Sequence, residues 1–138
     1  MASTMYKGKN LRIKLDGGVI YHATDCNFSS DIEIEKIATK DTNGNLKITG
    51  AYDWNLSSSG VVANKPSGGT QEDFKSLLDK HKSGAEVDIE FTTGDVGDVI
   101  ISGVGFIKSI QVKAPEKGFA TSDVTIEGSG DYTVALVV

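Results

Sequence analysis

Two short stretches of the sequence alternate carboxylates with apolar residues. Because the side chains of a β-strand point alternately to its two faces, every second residue of such a stretch shares one face. A row of carboxylates can bind a metal ion, serve in catalysis, form an ordinary hydrated strand face, or repel an anionic partner. The two acidic triplets are Asp31, Glu33 and Glu35 in DIEIE, and Glu86, Asp88 and Glu90 in AEVDIEF.

Metal binding and catalysis find little support in the rest of the chain. A calcium loop that begins at Asp31 needs glycine at its sixth position and glutamate at its twelfth, where the sequence has Lys36 and Thr42. One cysteine and two distant histidines form neither a zinc-binding set nor a Ser-His-Asp triad. No phosphate-cradling or dinucleotide-binding glycine motif occurs, so we expect no metal, no cofactor and no enzymatic activity.

Glycoside hydrolysis is a further use of paired carboxylates. Sugar sites also need exposed aromatic side chains, and Trp54, the single tryptophan, lies on a strand parity that predicts a core position. The hydrated strand face and the repelling wall therefore remain as alternatives. Like charges on neighbouring strands destabilise a sheet, which favours some compensating gain in function.

The charge balance argues against a surface that binds nucleic acid. The chain has 14 Lys and Arg residues against 19 Asp and Glu residues, a net charge of −5, and Arg12 is its one arginine. Phosphate recognition uses clustered Lys and Arg. The single cysteine, Cys26, excludes an internal disulfide. The first residues lack a signal-peptide pattern and no apolar run has membrane-spanning length, so we expect synthesis in the cytoplasm without membrane insertion.

The composition and the turn signals predict a mainly β protein. Sixteen glycines against two prolines, with many β-branched residues, favour strands joined by tight turns. Asp16-Gly17-Gly18 predicts a hairpin, and Asn43-Gly44 predicts a tight turn with positive φ angles. Gly50 predicts a bulge in a long strand over 46–62. We expect about eight strands in a single domain, residues 1–138.

One amphipathic helix is predicted over 70–83, after a linker at 64–69. Thr70 is the expected N-cap, and Gly84 is placed to end the helix. Phe74, Leu77 and Leu78 recur at helical spacing and form one apolar face, which we expect to pack on the sheet.

An ordered set of motifs extends over nearly the whole chain. WNLSSSG at 54–60 is followed by GAEVDIEF at 84–91, GVGFIKSI at 103–110 and VTIEGSG at 124–130, and TKD at 39–41 comes before them. In this order the motifs resemble the major tail tube proteins of long-tailed bacteriophages.

This resemblance implies a β-sandwich or small barrel with one flanking helix. The subunits would form six-fold rings that stack into a tube for DNA ejection, in the virion tail and, during assembly, in the host cytoplasm. Besides the chain itself, the implied partners are the tape measure protein, the tail tip or baseplate, and the tail terminator. The same fold serves type VI secretion tubes and other contractile injection systems, and a monomeric β-sandwich binding module is a third alternative.

The resemblance also implies roles for particular segments. The N-terminal arm, residues 1–9, and an extended loop within 39–46 would contact neighbouring subunits; the loop residues are Lys40, Asp41, Thr42, Asn43, Gly44 and Asn45. Both acidic triplets would line the lumen of the tube and repel DNA phosphate without binding it. The apolar residues between them would then face the core against the helix; these are Ile32, Ile34, Val87, Ile89 and Phe91.

Overall fold

The computed structural model describes residues 5–138, so the first four residues of the predicted N-terminal arm lie outside the described part of the chain. The described residues form seven strands and one helix. The strands are β1 Arg12–Leu15, β2 Gly18–Val19, β3 Ala23–Ile37, β4 Leu46–Val61, β5 Val87–Thr92, β6 Val99–Lys113 and β7 Thr121–Leu136, and the helix α1 is Phe74–Ser83. The mainly β fold with one helix is confirmed.

All seven strands belong to one antiparallel sheet in the order β2-β1-β5-β6-β7-β4-β3. The sheet curls over on itself, because residues 20–22 alone join β2 at one edge to β3 at the other. A link of this length spans at most about 14 Å. Phe28 of β3 and Phe91 of β5 accordingly face each other across the interior, with ring centroids 6.1 Å apart. The sheet therefore forms two layers around a core, and its edges do not close.

The inward-facing residues of both layers make one hydrophobic core. Ile13 and Leu15 of β1 are fully buried, as are Leu56 of β4 and Ile126 of β7 to within 1%. Trp54, predicted as a core residue, is 2% exposed, which confirms that prediction. Alternation along these strands leaves polar residues on the outward face of the sheet.

The turns follow the sequence signals only in part. Asp16 and Gly17 have φ angles of 50° and 86°, so they form the predicted two-residue hairpin turn between β1 and β2. The predicted tight turn at Asn43-Gly44 is wrong, because neither residue has a positive φ angle. β3 ends at Ile37 and β4 begins at Leu46, as predicted, so the loop 38–45 joins the two strands in place of a tight turn.

The helix begins at Phe74 rather than in the predicted segment after Thr70. Asp73 is the N-cap: its carboxylate accepts a hydrogen bond from the Ser76 N–H at 3.0 Å, and the Ser76 hydroxyl accepts one from the Asp73 N–H at 2.9 Å. Gly84 ends the helix at φ 67°, as predicted. Leu77 is buried, whereas Leu78 is 38% exposed, so the prediction that Leu78 packs against the core is wrong.

Candidate functional site

The first acidic triplet lies on the outward face of the longer layer of the sheet. Register pairs Asp31 with Asp53 on β4, Asp25 with Ser59, and Ser59 with Asp123 on β7, so these side chains share one face. Like charges directly opposite each other destabilise an antiparallel pair. The carboxylates of β3, β4 and β7 on this acidic face are Asp25, Asp31, Glu33, Glu35, Asp53, Asp123 and Glu127.

The end of the β3–β4 hairpin extends past its contact with the rest of the sheet. Pairing between β4 and β7 stops at Asn55 and Glu127, so residues 31–53 pair only with each other; we call this segment the distal hairpin. Ile32 and Ile34 are 48% and 57% exposed. The prediction that both isoleucines face the core is therefore wrong, because no second layer formed by residues 5–138 covers the distal hairpin.

β4 has a bulge in the distal hairpin, at the position that Gly50 predicts. Beyond the bulge, the residues of β4 that had faced one side of the sheet alternate in the opposite order. The register shifts between Ile32 and Ile34, which leaves one extra residue on β4 at 50–51. Leu46 and Ile48 consequently lie on the face of Glu35, opposite to the face of Trp54, and both are about half exposed. Both faces of the distal hairpin thus present apolar side chains.

The second acidic triplet lies on β5 and on the residue before it, in the other layer. Val87, Ile89 and Phe91 are buried, which confirms that they face the core. Register places Glu90 beside Lys14 of β1, so a cation lies next to this carboxylate. Because Phe28 and Phe91 face each other across the core, the outward faces of β3 and β5 point in opposite directions. The structure therefore does not bring the two triplets together.

The predicted inter-subunit loop is the tip of the distal hairpin. Every residue from Lys40 to Asn45 is exposed. Thr42 gives the loop its local order, because its hydroxyl lies 3.0 Å from the Thr39 hydroxyl and donates to the Gly44 carbonyl at 2.7 Å. The contact of this loop with another subunit stays a prediction.

A glycine-lined slot, which the sequence analysis missed, anchors the base of the distal hairpin. The Trp54 indole lies against Gly103 and Gly128, where a β-carbon added to Gly103 would come within 2.7 Å of the ring and one added to Gly128 would overlap it. Trp54 Nε1 donates to the Gly130 carbonyl at 3.0 Å, and the Tyr52 hydroxyl donates to Asp131 at 2.8 Å. The glycines of GVG and GSG were the available signal, since a glycine within a strand often marks close approach of another group.

Charged groups fix the helix to the β1–β2 turn. Lys80 Nζ lies 2.5 Å from a Glu72 carboxylate oxygen and 3.0 Å from Asp16. Burial disfavours the charged form of Lys80, but the hydrogen bonds to Glu72 and Asp16 outweigh it and raise the Lys80 pKa. The Asp88 N–H, which donates to the Asp16 carboxylate at 2.9 Å, lowers the Asp16 pKa. The Ser76 N–H likewise lowers the pKa of Asp73.

Residues 5–138 contain no cluster of three or more His, Cys, Asp or Glu side chains able to hold a metal ion. In the same part of the chain, no helix is long and apolar enough to cross a membrane.

Comparison with solved structures identifies the fold. A chain from the virion of a native gene transfer agent superposes with a TM-score of 0.78 at 19% identity, covering 95% of this chain and 99% of that one. A chain from the tail of an empty gene transfer agent particle, refined with C6 symmetry, matches equally well. The SPP1 tail tube matches with a TM-score of 0.75 at 11% identity, covering 94% of this chain and 78% of the other. No protein-family model matches the sequence, and no curated protein sequence matches it either.

Contractile injection systems supply further matches. The sheath/tube terminator of the extracellular contractile injection system PVC has a TM-score of 0.65 at 14% identity, with 98% and 99% of the two chains covered. The chain thus has the tail tube fold over nearly its full length.

Proposed function

We propose that this protein is a structural subunit that polymerises as stacked rings into a phage-type tail tube, the conduit for DNA ejection. The observation that carries the proposal is the superposition on gene transfer agent chains, which spans 95% of this chain and 99% of the other. A six-fold ring accords with the C6 symmetry of one matching tail.

The free edges of the sheet offer a way to close a ring. β3 is an edge strand paired only with β4, and β6 runs on past its last pair with β5, Val87 with Gly105, so its residues 106–113 have one edge without a strand partner among the described residues. On this edge the Ile107 carbonyl accepts a hydrogen bond from His81 Nδ1 of the helix at 2.8 Å. Pairing of β3 with β6 of the next copy would join the four long strands of all subunits into one barrel, and would protect edges that otherwise favour aggregation.

The acidic face then forms the wall of the lumen. It carries the first triplet together with Asp53. Asp31 and Asp53 lie directly opposite each other, which destabilises the subunit, and a role for negative charge in the lumen accounts for this pair. A basic wall would retain DNA, because each neutralised phosphate releases counterions and adds affinity. An acidic wall repels phosphate within a screening length of about 8 Å at physiological salt, so DNA passes without binding. In this proposal the second triplet faces away from the lumen.

The protein would work in the virion tail after assembly in the host cytoplasm. Its main partner is a second copy of the chain, with a tape measure protein, a tail tip or baseplate and a tail terminator at the ends of the tube. Terminator and cap proteins occur among the matching structures.

Electron microscopy of the concentrated protein, with its mass measured by light scattering, tests assembly. We expect rings or tubes with a central hole. A strict monomer at every concentration would contradict self-assembly and favour the monomeric binding module.

A matched pair of charge reversals tests which face lines the lumen. Glu33→Lys, Glu35→Lys changes the proposed wall, and Glu86→Lys, Glu90→Lys makes the same change of charge on β5 and its preceding residue. Tubes of the first variant, assembled with short duplex DNA at low salt, should retain DNA that nuclease does not digest. Tubes of the second should hold only digestible DNA on their outside. Equal protection in both, or protection only in the second, would refute the assignment of the acidic face.

An inner tube of a contractile injection system is the second candidate. Chains from the PVC system cover 92% and 98% of this chain, but with TM-scores of 0.57 and 0.65 they superpose less closely than the 0.78 of the gene transfer agent chain. Binding of the purified tube to a contractile sheath protein would decide between the two.

A further inference from the structure

The dipeptide Asn43-Gly44, in the loop 38–45, places a side-chain amide next to the least hindered main-chain nitrogen that a protein offers. The nitrogen of the residue after an asparagine can attack the asparagine Cγ and close a five-membered ring. Glycine has no β-carbon, so nothing obstructs this approach. Asn43 is followed by glycine, and every other asparagine of the chain is followed by a residue with a side chain. Whether the two groups meet depends on how the loop holds them.

The loop leaves both reacting groups accessible. Asn43 and Gly44 are exposed, and the Gly44 N–H donates no main-chain hydrogen bond among residues 5–138. A β-carbon built on Gly44 would meet nothing within 4 Å. The hydrogen bonds that order the loop use other atoms: the Thr42 hydroxyl donates to the Gly44 carbonyl at 2.7 Å and lies 3.0 Å from the Thr39 hydroxyl. The main chain can therefore turn at Asn43 without breaking a hydrogen bond of the Gly44 nitrogen.

The fold holds other asparagines in unreactive positions. Asn27 and Asn55 lie within β3 and β4, where pairing keeps the main chain extended and the next nitrogen away from the side chain. Asn64 precedes Lys65, whose N–H donates to the Asp73 carboxylate at 3.1 Å. Attack at these positions would first have to break the contacts that hold the main chain.

The Asp16-Gly17 turn shows that exposure does not decide reactivity. This dipeptide has the same spacing and is exposed, but its carboxylate is clamped. It accepts a hydrogen bond from the Asp88 N–H at 2.9 Å and lies 3.0 Å from Lys80 Nζ, and the Asp16 N–H donates to the Asp88 carbonyl at 2.9 Å. The Asp88 N–H also lowers the Asp16 pKa, and an ionised carboxylate is a poor target for a nucleophile. Asn43 has neither protection.

We propose that Asn43 is a site of self-catalysed deamidation, in which the Gly44 nitrogen is the nucleophile. The nitrogen loses its proton to a base in solution and forms a bond to the Asn43 Cγ, while the bond from Cγ to Nδ2 breaks and ammonia leaves with a proton. Water then opens the cyclic imide at either carbonyl and leaves aspartate or isoaspartate. The net reaction consumes one water, releases one ammonia and involves no oxidation. Proximity within one dipeptide supplies the rate.

The product changes the tip of the distal hairpin in charge and in length. It adds one negative charge to a chain whose net charge is −5, in a loop where Lys40 and Asp41 now balance. Isoaspartate also puts one more methylene into the main chain before Gly44, which disturbs the hydrogen bond from Thr42. The distal hairpin exposes apolar side chains on both faces, and such surfaces mark association sites. Reacted subunits should therefore assemble less well; this step rests on the proposed self-assembly, whereas the deamidation does not.

Peptide mapping of the purified subunit after incubation at mildly alkaline pH tests the site. Mass spectrometry should find the exchange of NH for O at Asn43, with separate aspartate and isoaspartate peptides, and isoelectric focusing should show one step towards acid. The rate should rise about tenfold per pH unit, because the ionised fraction of a weak acid far below its pKa does so. An unmodified Asn43, or faster reaction at another asparagine or at Asp16, would overturn the assignment.

Two variants test the role of the Gly44 nitrogen. Gly44→Ala places a methyl group beside the nitrogen at a position with room for it, and Asn43→Gln keeps the amide but requires a six-membered ring. Both should react several-fold more slowly than the wild type and yield no detectable isoaspartate, with unchanged urea unfolding. Reaction of both variants at the wild-type rate would show direct attack by water and overturn the mechanism.

Sedimentation of tubes made from fresh and aged protein separates this inference from the proposed function. Aged wild type should give less tube in proportion to its reacted fraction, whereas aged Asn43→Gln should keep its yield. Reacted chains present equally in tubes and supernatant would overturn the effect on assembly and leave the deamidation site. If fresh protein forms no tubes, the proposed function and the effect on assembly both fail, and the peptide map alone decides the deamidation.

Discussion

Glycines line the slot that holds Trp54, so even a methyl group added at one of them should lower the stability of the subunit strongly. Gly128→Ala is conformationally permitted, because the φ angle of Gly128 is not in the left-handed region, but its methyl group would overlap the indole ring. The ring has little room to move, since Phe28 and Tyr132 lie against it at centroid distances of 6.2 and 5.5 Å. We expect Gly128→Ala to lower the free energy of unfolding by about 3 kcal/mol, at the upper end of overpacking effects.

Thermal and urea unfolding of the subunit measure this cost. The melting temperature should fall by about 10 °C, taking about 3 °C per kcal/mol for a chain of this size. Gly44→Ala is the matched control, because its methyl group meets nothing within 4 Å and its φ angle is not positive. That variant should differ from the wild type by less than about 0.5 kcal/mol.

A double-mutant cycle separates the steric effect from a loss of glycine as such. Trp54→Phe removes the hydrogen bond to the Gly130 carbonyl and leaves a cavity, which should cost about 2–4 kcal/mol. In the double variant the smaller ring makes room for the Gly128→Ala methyl group. The free-energy cost of the double variant should therefore be about 1–3 kcal/mol smaller than the sum of the two single costs. Full additivity, or a Gly128→Ala variant as stable as Gly44→Ala, would refute the slot.

Three further predictions concern the helix and the distal hairpin. Asp73→Ala removes the N-cap and should cost about 1–2 kcal/mol in urea unfolding at pH 7; because the folded-state pKa of Asp73 is lowered, this stabilisation is present above the unfolded pKa of about 3.9 and is lost as the pH falls through the lower folded value. Lys80→Met leaves Glu72 buried without a cation and should cost about 3 kcal/mol, most of it recovered by adding Glu72→Met. The Lys80 pKa is raised, so its contribution is present below the unfolded pKa of about 10.4 and is lost as the pH rises through the folded value. Ile34→Ser, at a 57% exposed position, should change subunit stability by less than about 0.5 kcal/mol but reduce tube yield in sedimentation.

Each of these three predictions has an outcome that would contradict it. A difference between Asp73→Ala and the wild type that persists unchanged at pH 2 would exclude the cap carboxylate as its source. A double variant at positions 72 and 80 that is no more stable than Lys80→Met would show that the buried charge of Glu72 is not the cost. An Ile34→Ser protein that assembles normally would remove the distal hairpin from the assembly surface.

Local signals in the sequence were sufficient at several positions where one residue type dictates the backbone, although the turn predicted at Asn43-Gly44 is wrong. The Asp16-Gly17 turn, the Gly84 helix end and the Gly50 bulge were all predicted, because each depends on φ angles or strand geometry that few residues adopt. The burial of Val87, Ile89 and Phe91 followed in the same way from strict alternation in a strand covered on one face. The sequence also showed that the carboxylates of each triplet share a face.

What covers a face depends on the tertiary structure. Ile32 and Ile34 alternate with carboxylates just as Val87 and Ile89 do, yet the first pair is exposed. The part of β4 before Asn55 does not pair with β7, so no second layer of the described chain covers the distal hairpin. No local pattern encodes where two strands part. The sequence predicts a helix start after Thr70 instead of at Phe74 for a related reason, since Thr70 and Asp73 are both good N-caps. Two tertiary contacts favour Asp73: Glu72 pairs with Lys80, and the Asp73 carboxylate accepts a hydrogen bond from the Lys65 N–H.

The sequence by itself therefore determined the fold class, most turns and the charge of each strand face. Only the tertiary structure decided that the two acidic triplets face opposite ways, because the curl of the sheet places β3 and β5 on either side of the core. The same curl, held by the short link at residues 20–22, brings the two edges of the sheet near each other without pairing them. Alternation along a strand fixes which residues point together, but the packing of distant strands fixes what they point at.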